Sequence, residues 1–531
     1  MSASQYPTGQ LSRRRSRVLA RIRVVSVEGW VLLALVTVAA VIRIITIDNQ
    51  SFWADEALTA HEAGQSFTAM LHTVTSIETT PPLYFVLIWT WTKAFGSSEL
   101  ALRSISAMAG VALVPIAYLC ARELLDRRAG LIAAALVVVN PFAIWYSQEA
   151  RAYMLLAALS GASFLWFLRA RRDPSRRNLG WWTAFSALAV MTHFFAGFLV
   201  APEVVWLLWT SRSRATLFAV GVVAAVQVSM LPFAISDASP SRGVGWIGRI
   251  PRLHRIGQAV IEWGAGNLYR RTTTTEGLIA GAALVLILVI LLGLSGDRHS
   301  QRAAAVAGAV SGFVFLAPLA LAFAGQDYFL SRNLIPAFVP MAVLVAAACS
   351  APGARKAGGL LAVVLLGIFC FASVDIQTHA YLQRPRWRDV ARSLGPGKLP
   401  RAILAADGTT ADALKIYLPG ASWTTQVLRP TLIREIDVIG ATKRLRLTGP
   451  PQPLRGAVLV GPRPKGSPVP RSVAPPGTTL VARFRVANWV VARFVLTHPR
   501  RISADQLART APHFFRRTPA SLLIFFQLPR R

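Results

Sequence analysis

Charged residues are scarce in this chain of 531 residues. They make up 15% of it, against about a quarter in a soluble domain of similar length. Hydrophobic residues make up 54%, and the mean hydropathy is +0.47. The apolar excess falls in long runs, which excludes a soluble globular enzyme. Acidic residues are scarcer still, 24 against 57 Lys and Arg, for a formal net charge of +33. That balance would suit a nucleic-acid binder until the charges are located. Many sit in short clusters between apolar runs, as the cytoplasmic loops of membrane proteins do, so no nucleic-acid partner is expected. There are only three cysteines, Cys120, Cys349 and Cys370, each inside an apolar run. They support neither a disulfide framework nor a cysteine metal site. There is no Walker-type glycine loop to cradle a nucleotide and no internal repeat at a solenoid period.

What is present reads as a membrane map. Residues 1–28 form a basic N-terminus with Arg13, Arg14, Arg15, Arg17, Arg21 and Arg23. The apolar run at 29–47 is long for a signal peptide and lacks a clear small-x-small cleavage site, so it reads as a retained first span. The arginines put the N-terminus in the cytoplasm and residues from about 48 onward outside. The next apolar stretch, 81–95, is too short to cross, since a helical span needs about 20 residues. The stretch at 56–74 before it carries Ala63, Phe67, Met70, Leu71 and Val74 on one helical face. Both read as helices in the outer interface, within an outer loop 48–99. Further spans then fall near 100–124, 130–147, 152–168, 180–193, 196–210, 215–235, 277–295, 303–324, 334–350 and 357–374. This gives about 11 transmembrane helices over 29–375, with the N-terminus in and the C-terminus out. It places Arg127/Arg128, Arg169 to Arg177, Arg212/Arg214, Arg298/Arg302 and Arg355/Lys356 all inside. Were 81–95 to cross, each of these clusters would face outward, against the positive-inside bias. The long outer loop 236–276 is the exception, with Arg242, Arg249, Arg252, Arg255, Arg270 and Arg271. A basic outer loop can face lipid head groups or phosphate.

Residues 376–531 read as a small extracytoplasmic α/β domain. PRWRDVARSL (385–394) starts with proline and spaces Trp387, Val390, Ala391 and Leu394 helically. RAILAAD, GAVLVGP and SLLIFFQL (521–528) read as strands. So does the segment in which Phe484 and Val486 alternate with Arg483 and Arg485. The Pro-rich stretch 462–476 is a loop, and Ser503-x-x-Gln506 is a capping-box signature. Arginine outnumbers lysine 51 to six. This suggests a GC-rich bacterium and therefore a multi-pass protein of its plasma membrane.

Several polar groups can do chemistry. Asp55 and Glu56, in FWADEALTA (52–60), point different ways and so suit different tasks, such as base and orienting group. The same pair also suits helix capping, since carboxylates are stabilised at a helix N-terminus. Gln148, Glu149, Arg151 and Tyr153 cluster at the outer end of the third span, beside Trp145 and Tyr146, where they anchor at the interface or bind substrate. Arg103 and Arg332 are basic on the side where basic residues are rare. A guanidinium there suits a phosphate, or snorkels to head groups. His193 ends the fifth span, and Glu203 lies within the sixth. His61, Glu62, His72 and Glu78 share the outer loop with Asp55, but not at His-Glu-x-x-His spacing. No protein-only metal cage is expected, although Mg²⁺ or Mn²⁺ shared with a phosphate fits the loop better.

Six motifs in order complete the reading: WADE (53–56), TPPLY (80–84), FGSSELALRSISAMAG (95–110), NPFAIWYSQEARAY (140–153), THFF (192–195) and SRNLIP (331–336). With WRDVA (387–391), they make the chain resemble the multispanning GT-C glycosyltransferases of the protein-O-mannosyltransferase and aminoarabinose-transferase group. The resemblance covers roughly 29–350. It implies an inverting transfer of a sugar, mannose-like, from a polyprenyl-phosphate carrier to an acceptor hydroxyl on a glycan, lipid or protein outside the bilayer. It assigns Asp55 and Glu56 to catalysis, with Asp55 as the base. It matches Arg103 to the arginine expected near the donor phosphate; the reading of the residues themselves adds Arg332 and Arg151 to the phosphate, and Tyr84, Glu149, Tyr153 and His193 to substrate. One departure is that Thr79 and Thr80 stand where the aminoarabinose transferases have Glu-Lys, so counter-charge for the phosphate must come from arginines. Two other classes remain open: a flippase for a lipid-linked sugar, resting on Glu203, and a non-catalytic envelope subunit for which the acidic pair is dispensable.

Overall fold

The computed structural model describes residues 26–76, 80–231, 247–294, 297–406, 411–418, 420–423, 430–441, 468–486, 489–517, 519 and 521–528. The N-terminal arginines, Glu78, Thr79 and the GAVLVGP segment lie outside them. Among the described residues, seven helices are long and apolar enough to cross a membrane: Val27–Ile45, Glu99–Leu124, Tyr153–Arg172, Thr274–Leu294, Arg298–Phe323, Ser331–Ser350 and Pro352–Thr378. A bent pair, Arg127–Val139 and Pro141–Ser147, makes eight if it forms one span. Arg176–Thr192, Ala196–Thr210 and Arg214–Ser229, which the expectation of eleven also counts, are shorter, at 17, 15 and 16 residues.

The bend of 59° in the expected span 130–147 has a local cause. Pro141 has no N–H to give the carbonyl of Val137, and Asn140 leaves the helix to cap the next one, its side chain accepting from Ala143 N–H at 2.9 Å. Carbonyls orphaned inside a bilayer cost several kcal/mol each, so a donor must be found. The wholly buried Arg43 supplies it, donating to Val137 O and Val138 O at 3.1 Å and to Ser147 Oγ at 3.0 Å. Gly110 opposite leaves room for this contact. A Cβ there would overlap Ser147 Oγ and come within 2.9 Å of Arg43 Nε.

The two ends of the helical bundle differ chemically. At one end Arg127 pairs with Glu28, Arg172 with Glu123, and Arg128 donates to Arg355 O. At the other lie Glu56, Arg103, Glu149 and Arg384. The segment between Ile45 and Glu99 starts and finishes at this second end, because Arg103, in helix Glu99–Leu124, donates to Ile47 O at 2.8 Å. Helix Leu83–Phe95 is therefore expected to stay at this end. Its 13 residues span about 20 Å, short of the roughly 30 Å hydrocarbon core. The amphipathic stretch 56–74 is two helices rather than one, Ala54–Ala63 and Phe67–Ser76, divided at Gly64. The loop 236–276 is likewise not all loop. It contains helix Arg252–Ala265 and a 3₁₀ turn, Gly266–Arg271.

Beyond Thr378 the described residues form a six-stranded mixed sheet: β1 (Arg401–Ala405), β2 (Ala421–Trp423), β3 (Thr431–Ala441), β4 (Thr478–Val486), β5 (Trp489–Ile502) and β6 (Leu523–Gln527), in the order β2-β6-β1-β3-β5-β4. β1 pairs parallel with β3, and the other pairs are antiparallel. Every residue of β1 is buried, because both faces are covered. Ile403 and Ala405 face helix Trp387–Leu394 through Trp387 and Val390, while Ala402 and Leu404 face helix Ala504–Phe514 through Leu507 and Phe514. Ala57, from the outer segment, packs into the first of these cores. The sheet thus rests on the end of the bundle that carries Asp55 and Glu56.

Candidate functional site

Asp55 and Glu56 occupy the first turn of helix Ala54–Ala63, on different faces, and their surroundings separate them. Glu56 is fully buried and clamped by Arg103: Nε–Oε1 and Nη2–Oε2 are both 2.7 Å. It also accepts from Ala150 N–H at 2.9 Å and from Trp53 N–H, with Arg384 Nε 3.8 Å away. Burial alone would raise its carboxyl, but Arg103, Arg384 and these hydrogen bonds outweigh burial and hold it below the usual carboxylate range. Arg103 gives its remaining N–H groups to the carbonyls of Ile47, Gln50 and Ser51. Every guanidinium donor then has a protein acceptor, and nothing is left for a phosphate. In this arrangement Arg103 acts as an anchor with all its donors on protein acceptors, and Glu56, the expected partner of Asp55, is its counter-ion. Asp55, by contrast, is only partly buried. Its carboxylate is close enough to Arg332, Tyr153 and Glu149 to perturb each of them electrostatically.

Those neighbours are residues the sequence singled out. The Arg332 guanidinium lies 5.8 Å from the centre of the Tyr153 ring. Arg151 donates to Thr59 Oγ1 at 3.2 Å and lies over Phe85 at 5.8 Å. His193 is buried between Phe195, at 4.6 Å between ring centres, and Tyr153, at 5.8 Å. It therefore packs against the site rather than lining it. Tyr84 is wholly enclosed with Phe52, Phe85 and Leu102, so its expected contact with substrate is replaced by a place in an apolar core. Gln148 donates to Thr46 Oγ1 and Arg43 O, tying the first span to the bend. Glu203 sits far from this group, sealed in the bundle by Ser163 Oγ at 2.7 Å and Trp182 Nε1 at 2.9 Å. His61 and His72 are exposed, and among the described residues no three His, Cys, Asp or Glu side chains converge as metal ligands do.

Two charged residues at the site were not foreseen. Arg384, buried, lies in the connection from the last span to the sheet. It donates to Glu149 Oε2 at 2.8 Å, and its guanidinium stacks 4.0 Å from the centre of Trp145. Burial pushes the Glu149 carboxyl up and Arg384 opposes this, the net direction being upward. Glu262, on helix Arg252–Ala265, accepts from Gln258 Nε2 at 2.9 Å and from Ser331 Oγ, and burial raises it too. Glu262, Gln258, Tyr146, Arg255, Leu330, Ser331 and Arg332 line a small cleft that is partly open to solvent. Arg255 is neutralised there by Asp327, with contacts of 2.6 and 2.7 Å, so Glu262 and Arg332 set the charge of the cleft. The signal for Glu262 was the period of Ile256, Ala259, Val260 and Trp263, which marks a helix inside an apparent loop. For Arg384 the only signal was adjacency to WRDVA.

The arrangement is a partly exposed carboxylate beside several arginines at one end of an apolar bundle, next to an open polar cleft. Such a site can take a proton and can stabilise an anion nearby. Residues 79–235 match the family model described as dolichyl-phosphate-mannose-protein mannosyltransferase. The whole fold is similar to that of ArnT from Cupriavidus metallidurans bound to undecaprenyl phosphate, with TM-score 0.52, 14% identity, and coverage of 88% of this chain and 98% of that one. Apo ArnT from the same organism aligns at TM-score 0.48 and 16% identity, over 73% of this chain and 84% of that one. The oligosaccharyltransferase AglB of Archaeoglobus fulgidus aligns at 0.41 and 15%, over 68% of this chain and 57% of that one. No curated protein sequence matches the chain. Its fold is the GT-C glycosyltransferase fold.

Proposed function

We propose that this protein moves a sugar, mannose-like, from a polyprenyl-phosphate carrier to an acceptor hydroxyl at the outer face of the membrane, with inversion. The observation that carries this reading is the separation of the acidic pair. Glu56 is neutralised by Arg103, while Asp55 keeps a partly exposed carboxylate within electrostatic reach of Arg332 at the edge of a polar cleft.

An alcohol is a weak nucleophile at neutral pH and needs a base in the transition state. Asp55 takes the acceptor's proton as the oxygen forms its bond to the anomeric carbon, worth about 10²–10⁴-fold. The bond from that carbon to the carrier phosphate breaks on the opposite side, and its electron pair leaves with the phosphate. Arg332 is the group placed to stabilise that growing charge, with Arg151 and Arg384 adding to the positive field where water is partly excluded. Glu149 keeps Arg384 in place. The interfacial helices Phe67–Ser76 and Leu83–Phe95 flank the site where a lipid tail would lie, with Leu87 and Phe95 exposed for it.

The test is Asp55→Asn, compared with wild type for the envelope glycans and glycolipids of cells that carry or lack the protein. The expected result is loss of the protein-dependent glycan with normal expression and membrane insertion. A wild-type glycan profile in that variant removes the base assignment and with it this reading.

A further inference from the structure

We infer that the C-terminal sheet domain is a positioning part of the transfer site, acting through Tyr417 and Arg388. The inference rests on the transferase reading above and adds to it a task for the domain. The loop Ile47–Phe52, which delivers the chain to Asp55, is gripped from two sides. From the bundle, Arg103 takes the carbonyls of Ile47, Gln50 and Ser51. From the sheet side, Arg388 on helix Trp387–Leu394 gives its backbone N–H to Ser51 Oγ at 3.0 Å and its Nη2 to Asp48 O at 2.9 Å. Arg384 N–H donates to Gln50 Oε1 at 2.9 Å. Tyr417 Oη accepts the N–H of Phe52 at 2.7 Å, and its ring stacks on Phe52 at 6.3 Å between centres.

A single carboxylate joins these contacts. Glu99, at the N-terminus of the helix that also carries Arg103, accepts from Tyr417 Oη and pairs with Arg388. Loop, bundle and sheet domain therefore meet at Glu99, with Phe52 three residues before Asp55. An interfacial loop held only from below would leave the Asp55 carboxylate free to wander. A displacement of about 1 Å in a reacting group can cost on the order of 10²-fold in rate. None of these side chains lines the cleft of Arg332 and Glu262, so their effect is on the place of Asp55 and not on donor contact.

The test uses the full chain in lipid nanodiscs, with Tyr417→Phe and Arg388→Gln, and with Arg388→Lys as the conservative rescue. Hydrogen exchange over 48–56 is expected to rise in the first two variants and to return toward wild type in the third. Exchange over 489–502 and affinity for undecaprenyl phosphate, the probe, should stay unchanged. In cells the Asp55-dependent glycan is expected to fall about tenfold or more. Wild-type exchange over 48–56 in both variants, or faster exchange with a full glycan signal, overturns the inference. Failure of Asp55→Asn to change the glycan overturns the transferase reading instead, and leaves the exchange result standing as a measure of the clamp.

Discussion

Arg103 has five N–H hydrogens, and the protein supplies an acceptor for each of them. Arg332 has the same chemistry but stands at an open cleft. This difference predicts two kinds of loss. Removing one partner of a fully buried ion pair leaves the other charge stranded, at a cost of about 3–5 kcal/mol. Arg103→Gln and Glu56→Gln are expected to lower the thermal midpoint strongly, whereas Arg332→Gln, at a partly exposed residue, is expected to lower it less and to abolish transfer. Melting curves beside the glycan assay distinguish them. The pH dependence follows from Glu56. Its folded carboxyl titrates below the usual range. Its stabilisation is therefore complete above the ordinary carboxylate pKa of about 4.3, and is lost only as pH falls through the lower folded value. Melting scans from neutral to acid pH should show an acid limb that Glu56→Gln removes. The sequence marked Arg103 and Arg332 as basic on the side where basic residues are rare, and Asp55 and Glu56 as an adjacent acidic pair, which are legible signals. It held no information on which arginine would spend its donors on carbonyls, since that depends on the path of Ile47–Ser51 around Arg103.

At the scale of elements, a break that looks like a defect is a built joint. Asn140-Pro141 ends one helix and starts another, and Arg43 from the first span caps the freed carbonyls of Val137 and Val138. Gly110 supplies the space. Gly110→Ala is expected to displace Ser147 Oγ, break its bond from Arg43, and cost about 1–3 kcal/mol as overpacking does. Gly180→Ala, where nothing lies within 4 Å, is the control and should be neutral. A thermal shift in the control as large as that for Gly110→Ala would refute the joint. Proline and asparagine gave this break away in the sequence, although the reading of 130–147 passed over it. The shortness of helix Leu83–Phe95, 13 residues, is legible because length is a property of sequence. The division of 56–74 at Gly64 was missed. The apolar face continues across it, and only the packing of Trp89, whose Nε1 donates to Gln65 O at 3.0 Å, fixes the turn.

For the molecule as a whole, the charge asymmetry makes a claim about sides. The end carrying Glu28, Glu123, Arg127, Arg172 and Arg355 is expected to face the cytoplasm, and the sheet domain the exterior. In a Cys370→Ala background, a cysteine replacing Pro174 should be shielded from an impermeant thiol reagent in intact cells. One replacing Val473, which is 74% exposed, should react. The reverse pattern would place the site in the cytoplasm.

By itself the sequence determined the class of the molecule, the order of its long apolar helices, and the strands at 401–405 and 523–527. These follow from period, length and charge, which are local quantities. Tertiary structure alone decided that Glu56 is an anchor while Asp55 stays partly exposed, that Arg384 and Glu262 join the candidate site, and that the sheet domain holds the loop before Asp55. Each of these turns on side chains such as Phe52 and Tyr417, 365 residues apart along the chain. No window of sequence contains them both.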